Sequence, residues 1–119
     1  MGEISKKELV LAVLSSRTAP RLAGVDLSGM NLRALSLASA DLRGADLRSA
    51  DLTHTDLRSA RLDNAQLIGA SLRFAHLDHA SFTGAIIDGC DFSKARTQGV
   101  ILDEQQRANA TGLPEEPSF

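Results

Sequence analysis

Three histidines and one cysteine are the side chains in this 119-residue sequence whose chemistry suits a metal ion or a nucleophilic reaction. His76 and His79 are three positions apart, whereas His54 and Cys90 lie more than ten residues from either of them. Zinc sites need three or four ligands that converge on one point, and no carboxylate or cysteine completes such a set at a useful spacing. We therefore predict no metal and no cofactor. A metal or small-ligand site built from the three histidines is the weakest functional hypothesis.

The sequence contains no arrangement that is typical of an enzyme. It has no glycine-rich loop that opens a helix, no Ser-His-Asp arrangement that the pattern brings together, and no long loop that could build a pocket. The net charge is -2 and both tryptophan and tyrosine are absent, so a strongly basic surface and the usual base-stacking side chains are missing. These features predict a protein that is not an enzyme and does not bind nucleic acid directly.

A five-residue repeat determines where all of these side chains lie. An α-helix with a five-residue apolar step would spread its leucines around the whole helix, and a flat strand would turn alternate ones to opposite faces. The pattern therefore requires a bend after each short extended segment, so that the chain winds into a coil with an apolar interior. The central apolar residues of the repeat are Leu27, Leu32, Leu37, Leu42, Leu47, Leu52, Leu57, Leu62, Leu67, Leu72, Leu77, Phe82, Ile87 and Phe92.

Consecutive units of the repeat read ADLRG at 40–44, ADLRS at 45–49 and ADLTH at 50–54. They resemble the A(D/N)LXX units of the pentapeptide-repeat protein family, and the resemblance covers about residues 25–102. It implies an all-β solenoid, a right-handed quadrilateral parallel β-helix with four five-residue units in each coil. The count of four units comes from the resemblance, because the periodicity alone predicts only a bend at every fifth residue.

The chain is predicted to be one domain over 1–119, with a helix at each end of the solenoid. Ser5 and Glu8 have the spacing of a helix capping box, and so do Asp103 and Gln106. Either helix would cover an end of the coil, where apolar side chains and strand edges are otherwise exposed. The predicted segments are a helix at about 5–15, a β-helix of about four coils at about 21–102, a helix at about 103–112 and a tail at 113–119.

The residues that flank each central position are predicted to point outward. With twenty residues in a coil, every twentieth outward residue stacks on the same face, and the charged ones form a cross-coil charge ladder. We interpret the ladder as a solvated face, because exposed ion pairs contribute little to stability. A charged recognition surface is the alternative. The ladder pairs Asp41 with Arg61, Arg43 with Asp63, and Arg58 with Asp78.

A candidate interaction patch stands out among the outward positions. Ile68 and Ile86 occupy outward positions of the same predicted face, where polar residues are the rule, and Phe74 lies at a nearby corner. Isolated exposed apolar residues are common, but two stacked isoleucines near a phenylalanine can mark a contact surface.

These features predict a non-enzymatic protein-interaction or scaffolding module of unknown partner, present as a monomer or weak homodimer. The resemblance also suggests an alternative, because the quinolone-resistance branch of the family mimics DNA and binds type II topoisomerases. This chain departs from that pattern, since nine acidic residues face eight basic ones over 25–102. No segment approaches the ~18 apolar residues of a membrane span, so we predict no membrane contact and a cytoplasmic location.

Overall fold

A computed structural model of the chain describes residues 5, 8 and 18–113. The predicted helix at 5–15 therefore lies mostly outside the described residues. At its predicted cap, Glu8 is helical and its backbone N–H donates a hydrogen bond to Ser5 Oγ at 3.1 Å. Most of the predicted tail, 114–119, also lies outside the described part. Within that part, no helix has the length and apolar character needed to cross a bilayer.

Parallel β-bridges join every fifth residue from Arg21 to Ser81 with the residue twenty positions later, and Asp91 pairs with Thr111 in the same way. Each bridge is isolated and does not extend into a longer strand. The constant offset means that one coil contains twenty residues, or four five-residue units, and that the coil has four faces. Each face also contains the residues twenty, forty and sixty positions later: face 1 begins with 21–25, face 2 with 26–30, face 3 with 31–35 and face 4 with 36–40.

Each five-residue unit bends because its backbone hydrogen bonds close a turn and also tie it to the coils on both sides. Leu62 N–H donates to Ser81 O at 2.8 Å on one side of the unit, and Arg61 N–H donates to Ala40 O at 2.9 Å on the other side. Ala65 N–H donates back to Leu62 O at 3.0 Å and closes a four-residue β-turn. The third turn residue, Asn64, has a φ of 61°, which asparagine tolerates better than most residues.

The core is a column of central residues, and the periodicity predicted its members correctly. Every central residue from Leu27 to Phe92 is buried, and so are the small residues that precede them from Ala40 onward. Thr55 takes one of these small positions by donating its hydroxyl to Leu52 O at 2.7 Å. At the C-terminal end, Phe82 packs edge-to-face against Phe92 with ring centroids 5.8 Å apart.

A short α-helix, Glu104–Asn109, replaces face 2 in the last coil. Asp103 is its N-cap and Gln106 completes a capping box, with the Gln106 N–H donating to Asp103 Oδ1 at 2.7 Å. The Gln106 side chain also donates to Phe82 O at 2.7 Å and to Ala85 O at 2.9 Å. The helix lies within the interval 103–112 where the sequence placed it. Beyond it the chain returns to the ladder at Thr111.

Candidate interaction surface

The four faces of the coil differ in charge. Over residues 21–100, faces 1 and 3 each carry three basic and two acidic side chains, and face 4 carries two of each, with histidines counted as neutral. Face 2 carries three aspartates, Asp26, Asp46 and Asp88, and one arginine, Arg48. It is the single face of this segment with an acidic excess.

Where a unit reads Asp-Leu-Arg, its aspartate and arginine pair with each other. Arg43 Nη2 lies 2.7 Å from Asp41 Oδ2, and Arg58 is paired with Asp56 at the same distance. The two residues flank a central leucine, so their side chains leave the same side of the extended segment. The Arg43 backbone N–H also donates to Asp41 at 3.2 Å, and together these hydrogen bonds lower the pKa of Asp41 to about 2. The Asp-Leu-Arg triplet is the sequence signal for this pairing, and the five-residue spacing of apolar residues does not contain it.

The ladder residues lie next to one another across the coils, but among the described residues no direct ion pair joins Asp41 to Arg61 or Arg43 to Asp63. A parallel bridge places Asp41 beside Arg61, and the charge of Arg61 adds a smaller lowering of the Asp41 pKa. Asp63 likewise helps to raise the pKa of Arg43. Direct ion pairs between coils occur on face 3, where Arg33 pairs with Asp51 at 3.3 Å and Arg73 pairs with Asp91 at 3.1 Å.

The other two ladder residues lie on face 4. Arg58 Nη2 pairs with Asp56 of its own unit, and Asp78 in the next coil adds a smaller contribution to raising the pKa of Arg58. Asp78 Oδ1 accepts the backbone N–H of Gln98 at 3.1 Å. Asp78 therefore holds the backbone of the following coil by a hydrogen bond, and its charge also acts on Arg58.

The three histidines do not converge. His54 lies at the corner between faces 3 and 4, and its ring stacks on Phe74 with ring centroids 4.8 Å apart. His76 lies within face 4, and His79 lies at the corner between faces 4 and 1. Among the described residues, no group of three or more histidine, cysteine, aspartate or glutamate side chains could hold a metal ion. Cys90 is buried, and this burial raises the pKa of its thiol to about 12.

The candidate patch divides into two parts. Ile68 and Ile86 are 44% and 46% exposed and lie in neighbouring coils of face 2. Phe74 is also exposed, but it lies at the far corner of face 3, so a whole face separates it from the isoleucines. There it contacts the His54 ring, and the Arg73 guanidinium lies 5.8 Å from its ring centroid.

A groove of about 340 Å³ lies where face 2 meets the C-terminal helix. Sequence reasoning did not find it, because the groove exists only when the helix folds back over the end of this face. Ala85 and Ile86 are the apolar residues that line the groove, so the groove continues the surface formed by Ile68 and Ile86. The polar lining residues are Asp88, Asp103, Gln105, Gln106 and Asn109.

Comparison with protein families identifies the class of protein that this repeat defines. Residues 21–64 and 60–96 match the sequence profile described as Pentapeptide repeats (8 copies). These segments cover more than half of the chain, which therefore belongs to the pentapeptide-repeat family. Proteins of this family are generally non-enzymatic structural modules, and their fold is a right-handed quadrilateral β-helix.

Solved structures of the family resemble the chain. The pentapeptide repeat protein alr5209 from Nostoc Pcc 7120 is 24% identical, with a TM-score of 0.51 over 95% of this chain and 99% of that one. HetL, a pentapeptide repeat protein from Nostoc sp. strain PCC 7120 involved in heterocyst differentiation regulation, is 32% identical, with a TM-score of 0.39. That match covers 76% of this chain and 44% of HetL.

QnrB1, a plasmid-mediated fluoroquinolone resistance protein, is 20% identical, with a TM-score of 0.28 over 77% of this chain and 65% of that one. A comparison with curated protein sequences gives no match. The likeness to alr5209 supports the β-helix fold, and none of the three likenesses assigns a function to this chain.

Proposed function

We propose that the chain is a non-enzymatic protein-interaction or scaffolding module that presents the flat faces of its β-helix to a protein partner. The exposed pair Ile68 and Ile86 carries the proposal, because these large apolar side chains lie on the outer surface of a face that is otherwise polar. The scaffold beneath them is held rigidly. In this region Leu67 N–H donates to Ile86 O at 2.7 Å and Gln66 N–H donates to Ala45 O at 3.0 Å. A rigid surface binds a partner without the entropy cost of ordering itself.

In this proposal the module has about four coils with a helix at each end, and it works in the cytoplasm as a monomer or weak homodimer. Side chains on the faces make the contacts, and the proposal requires no reaction, cofactor, membrane or nucleic acid. A buried thiol with a raised pKa is a poor nucleophile, so the state of Cys90 supports a structural role for that residue.

We expect the double substitution Ile68→Lys with Ile86→Lys to abolish capture of the protein partner while leaving folding nearly unchanged. Outward surface substitutions usually change the free energy of unfolding by less than about 0.5 kcal/mol, so folding should survive. Binding should not, because the two lysines would place charges inside an apolar contact. Urea denaturation measures folding. Capture is measured by quantitative cross-linking and pull-down from a cell lysate. If the partner is a second copy of this chain, the mass of the complex measures it.

Ser36→Lys with Gln98→Lys is the matched control for that double substitution. It adds the same two charges at exposed outward positions of face 4, and we expect it to retain capture. Equal capture by the wild-type protein and the isoleucine double variant would refute the role of face 2. A large loss of folding would show that the isoleucines are covered in the protein.

The topoisomerase alternative gives a negative prediction. A DNA mimic needs a continuous acidic surface to fill a phosphate-binding groove, but acidic and basic side chains alternate on faces 1, 3 and 4, and Ile68 and Ile86 interrupt the aspartates of face 2. We therefore expect no inhibition of gyrase supercoiling and no protection from quinolones at micromolar protein. Inhibition at submicromolar protein that is lost in high salt would favour mimicry.

A further inference from the structure

We propose that face 2 and the groove beside it bind a cationic amphipathic helix of the partner protein. This inference rests on the proposed interaction function, to which it adds the binding face and the chemistry of the partner. The apolar side of the helix would cover Ile68 and Ile86, and its lysine or arginine side chains would meet the carboxylates around them.

The charge of face 2 selects a basic partner. Asp46 is already paired with Arg48 at 2.7 Å, so Asp26 and Asp88 supply the acidic excess of the face. Within the part of the chain that the structure describes, no cation lies within ion-pair distance of either carboxylate. A positively charged partner complements this face, whereas an acidic one is repelled from it.

The groove has the composition of a binding site for a long basic side chain. Ile86 lines the groove as an apolar residue, and Asp88, Asp103, Gln105 and Asn109 line it as polar ones. Asp103 Oδ1 already accepts the Gln106 N–H at 2.7 Å, so Asp88 is the acidic lining residue without such a role. Lysine and arginine side chains bury their aliphatic stems on apolar surface while their charged ends stay with polar groups. A single groove can therefore accept both parts of such a side chain.

The backbone of face 2 favours a helical partner over an extended one. A peptide that binds as an added strand needs free backbone donors and acceptors along a sheet edge. On face 2 the ladder groups already bond along the coil axis, as in Leu67 N–H to Ile86 O at 2.7 Å and Ile86 N–H to Ala65 O at 3.0 Å. Recognition on this face must therefore use side chains.

The dimensions of the face also suit a helix. Coils stack at ~4.8 Å, so four of them make a face about 20 Å tall, and three extended residues make it roughly 10 Å wide. An α-helix is about 10–12 Å in diameter, and roughly 13 residues span 20 Å. One short helix lying along the coil axis would cover face 2 and reach the groove.

The test uses a synthetic 14-residue peptide with a leucine stripe flanked by lysines, and measures its affinity for the full chain by fluorescence anisotropy. We expect binding that weakens at least about tenfold when the lysines are replaced by glutamates or when a central proline breaks the helix. Equal binding of the glutamate peptide would overturn the charge assignment. Equal binding of the proline peptide would overturn the choice of a helix, and no binding of the lysine peptide at millimolar concentration would overturn the whole inference.

Variants of the protein locate the site. We expect Ile86→Ser to weaken binding of the lysine peptide about tenfold, and Asp88→Asn to weaken it several-fold at low salt and much less in about 0.5 M salt. Asp63→Asn is the control, because Asp63 follows its central leucine as Asp88 follows its central isoleucine but lies on face 1. We expect it to change the affinity less than about twofold. Unchanged affinity in both face 2 variants, with denaturation midpoints preserved, would overturn the inference.

The two proposals can fail separately. If the lysine peptide does not bind but the Ile68→Lys and Ile86→Lys protein loses its captured partner, the interaction function holds and the cationic helix is wrong. If capture survives that double change and is lost only through substitutions on another face, the module still binds proteins but face 2 is not its site. If no partner is captured and the peptide does not bind, both proposals are overturned.

Discussion

Leu57→Ala is expected to lower the free energy of unfolding by about 2–5 kcal/mol, whereas Arg58→Ala is expected to leave it nearly unchanged. The Leu57 side chain is fully buried in the middle of the shaft. Removing it loses apolar burial and leaves a cavity that stacked coils cannot easily close, because hydrogen bonds hold Leu57 N–H to His76 O at 2.8 Å and Asp56 N–H to Leu35 O at 3.0 Å. Arg58 points into solvent and pairs with Asp56, and such exposed pairs contribute little.

Chemical denaturation of both variants measures this difference, with the wild-type protein in the same series. Repeat proteins are stabilised by contacts between neighbouring units, so a mid-shaft cavity weakens the coils on both sides. A shift of the midpoint without a change in the denaturant slope would show that stability alone changed. Equal losses for the two variants would mean that the inward and outward assignments are wrong.

The sequence predicted the inward positions because a strict five-residue step has few structural solutions. Once helix and flat strand are excluded, each unit must end in a bend, and the structure places a positive φ at that bend, for example 60° at Ser59. A side chain such as Leu57 is then assigned to the core by counting alone. The family resemblance supplied the four units per coil, and the twenty-residue offset of the bridges follows from that number.

The choice of ionic partners could not be predicted from the repeat. Arg43 has two possible acidic neighbours, Asp41 two residues earlier in its own unit and Asp63 in the next coil, and both agree with the periodicity. The nearer one wins because Asp41 accepts hydrogen bonds from both the side chain and the backbone of Arg43. Side-chain conformation decides this competition, and a pattern of residue types does not contain that information.

The candidate surface was predicted only in part. Ile68 and Ile86 could be placed on one face because twenty-residue counting relates their units directly. The same counting separates them from Phe74 by a whole face, and the groove beside Ile86 depends on where the C-terminal helix folds after Asp103. A capping box predicts that a helix begins, but it does not predict against which face the helix packs.

Gln106→Leu is expected to lower the free energy of unfolding of the C-terminal end by about 1–3 kcal/mol, because it leaves the buried carbonyl of Ala85 without this side-chain hydrogen-bond donor. In the coils below, the equivalent carbonyl receives a backbone donor from the following coil: Ala45 O from Gln66 N–H, and Ala65 O from Ile86 N–H, both at 3.0 Å. Gln106 occupies the next position in this series. The chain is helical there, so its side-chain Nε2 donates to Ala85 O at 2.9 Å in place of the backbone.

Leucine is similar in size to glutamine, so this substitution removes the hydrogen bonds without opening a cavity. Gln105→Ala, on the exposed side of the same helix, is the control. We expect its free energy of unfolding to stay within about 0.5 kcal/mol of wild type.

Amide hydrogen exchange gives the local measurement. We expect faster exchange at Thr111 N–H, which bonds to Cys90 O at 3.0 Å just beyond the helix, and little change at Leu62 N–H in the middle of the shaft. Unchanged exchange at Thr111 would show that the helix stays in place without Gln106. Faster exchange confined to this end would show that the Gln106 side-chain amide replaces the missing backbone hydrogen bond to Ala85 O. The same amide would then hold the helix in the position where it lines the groove beside Ile86.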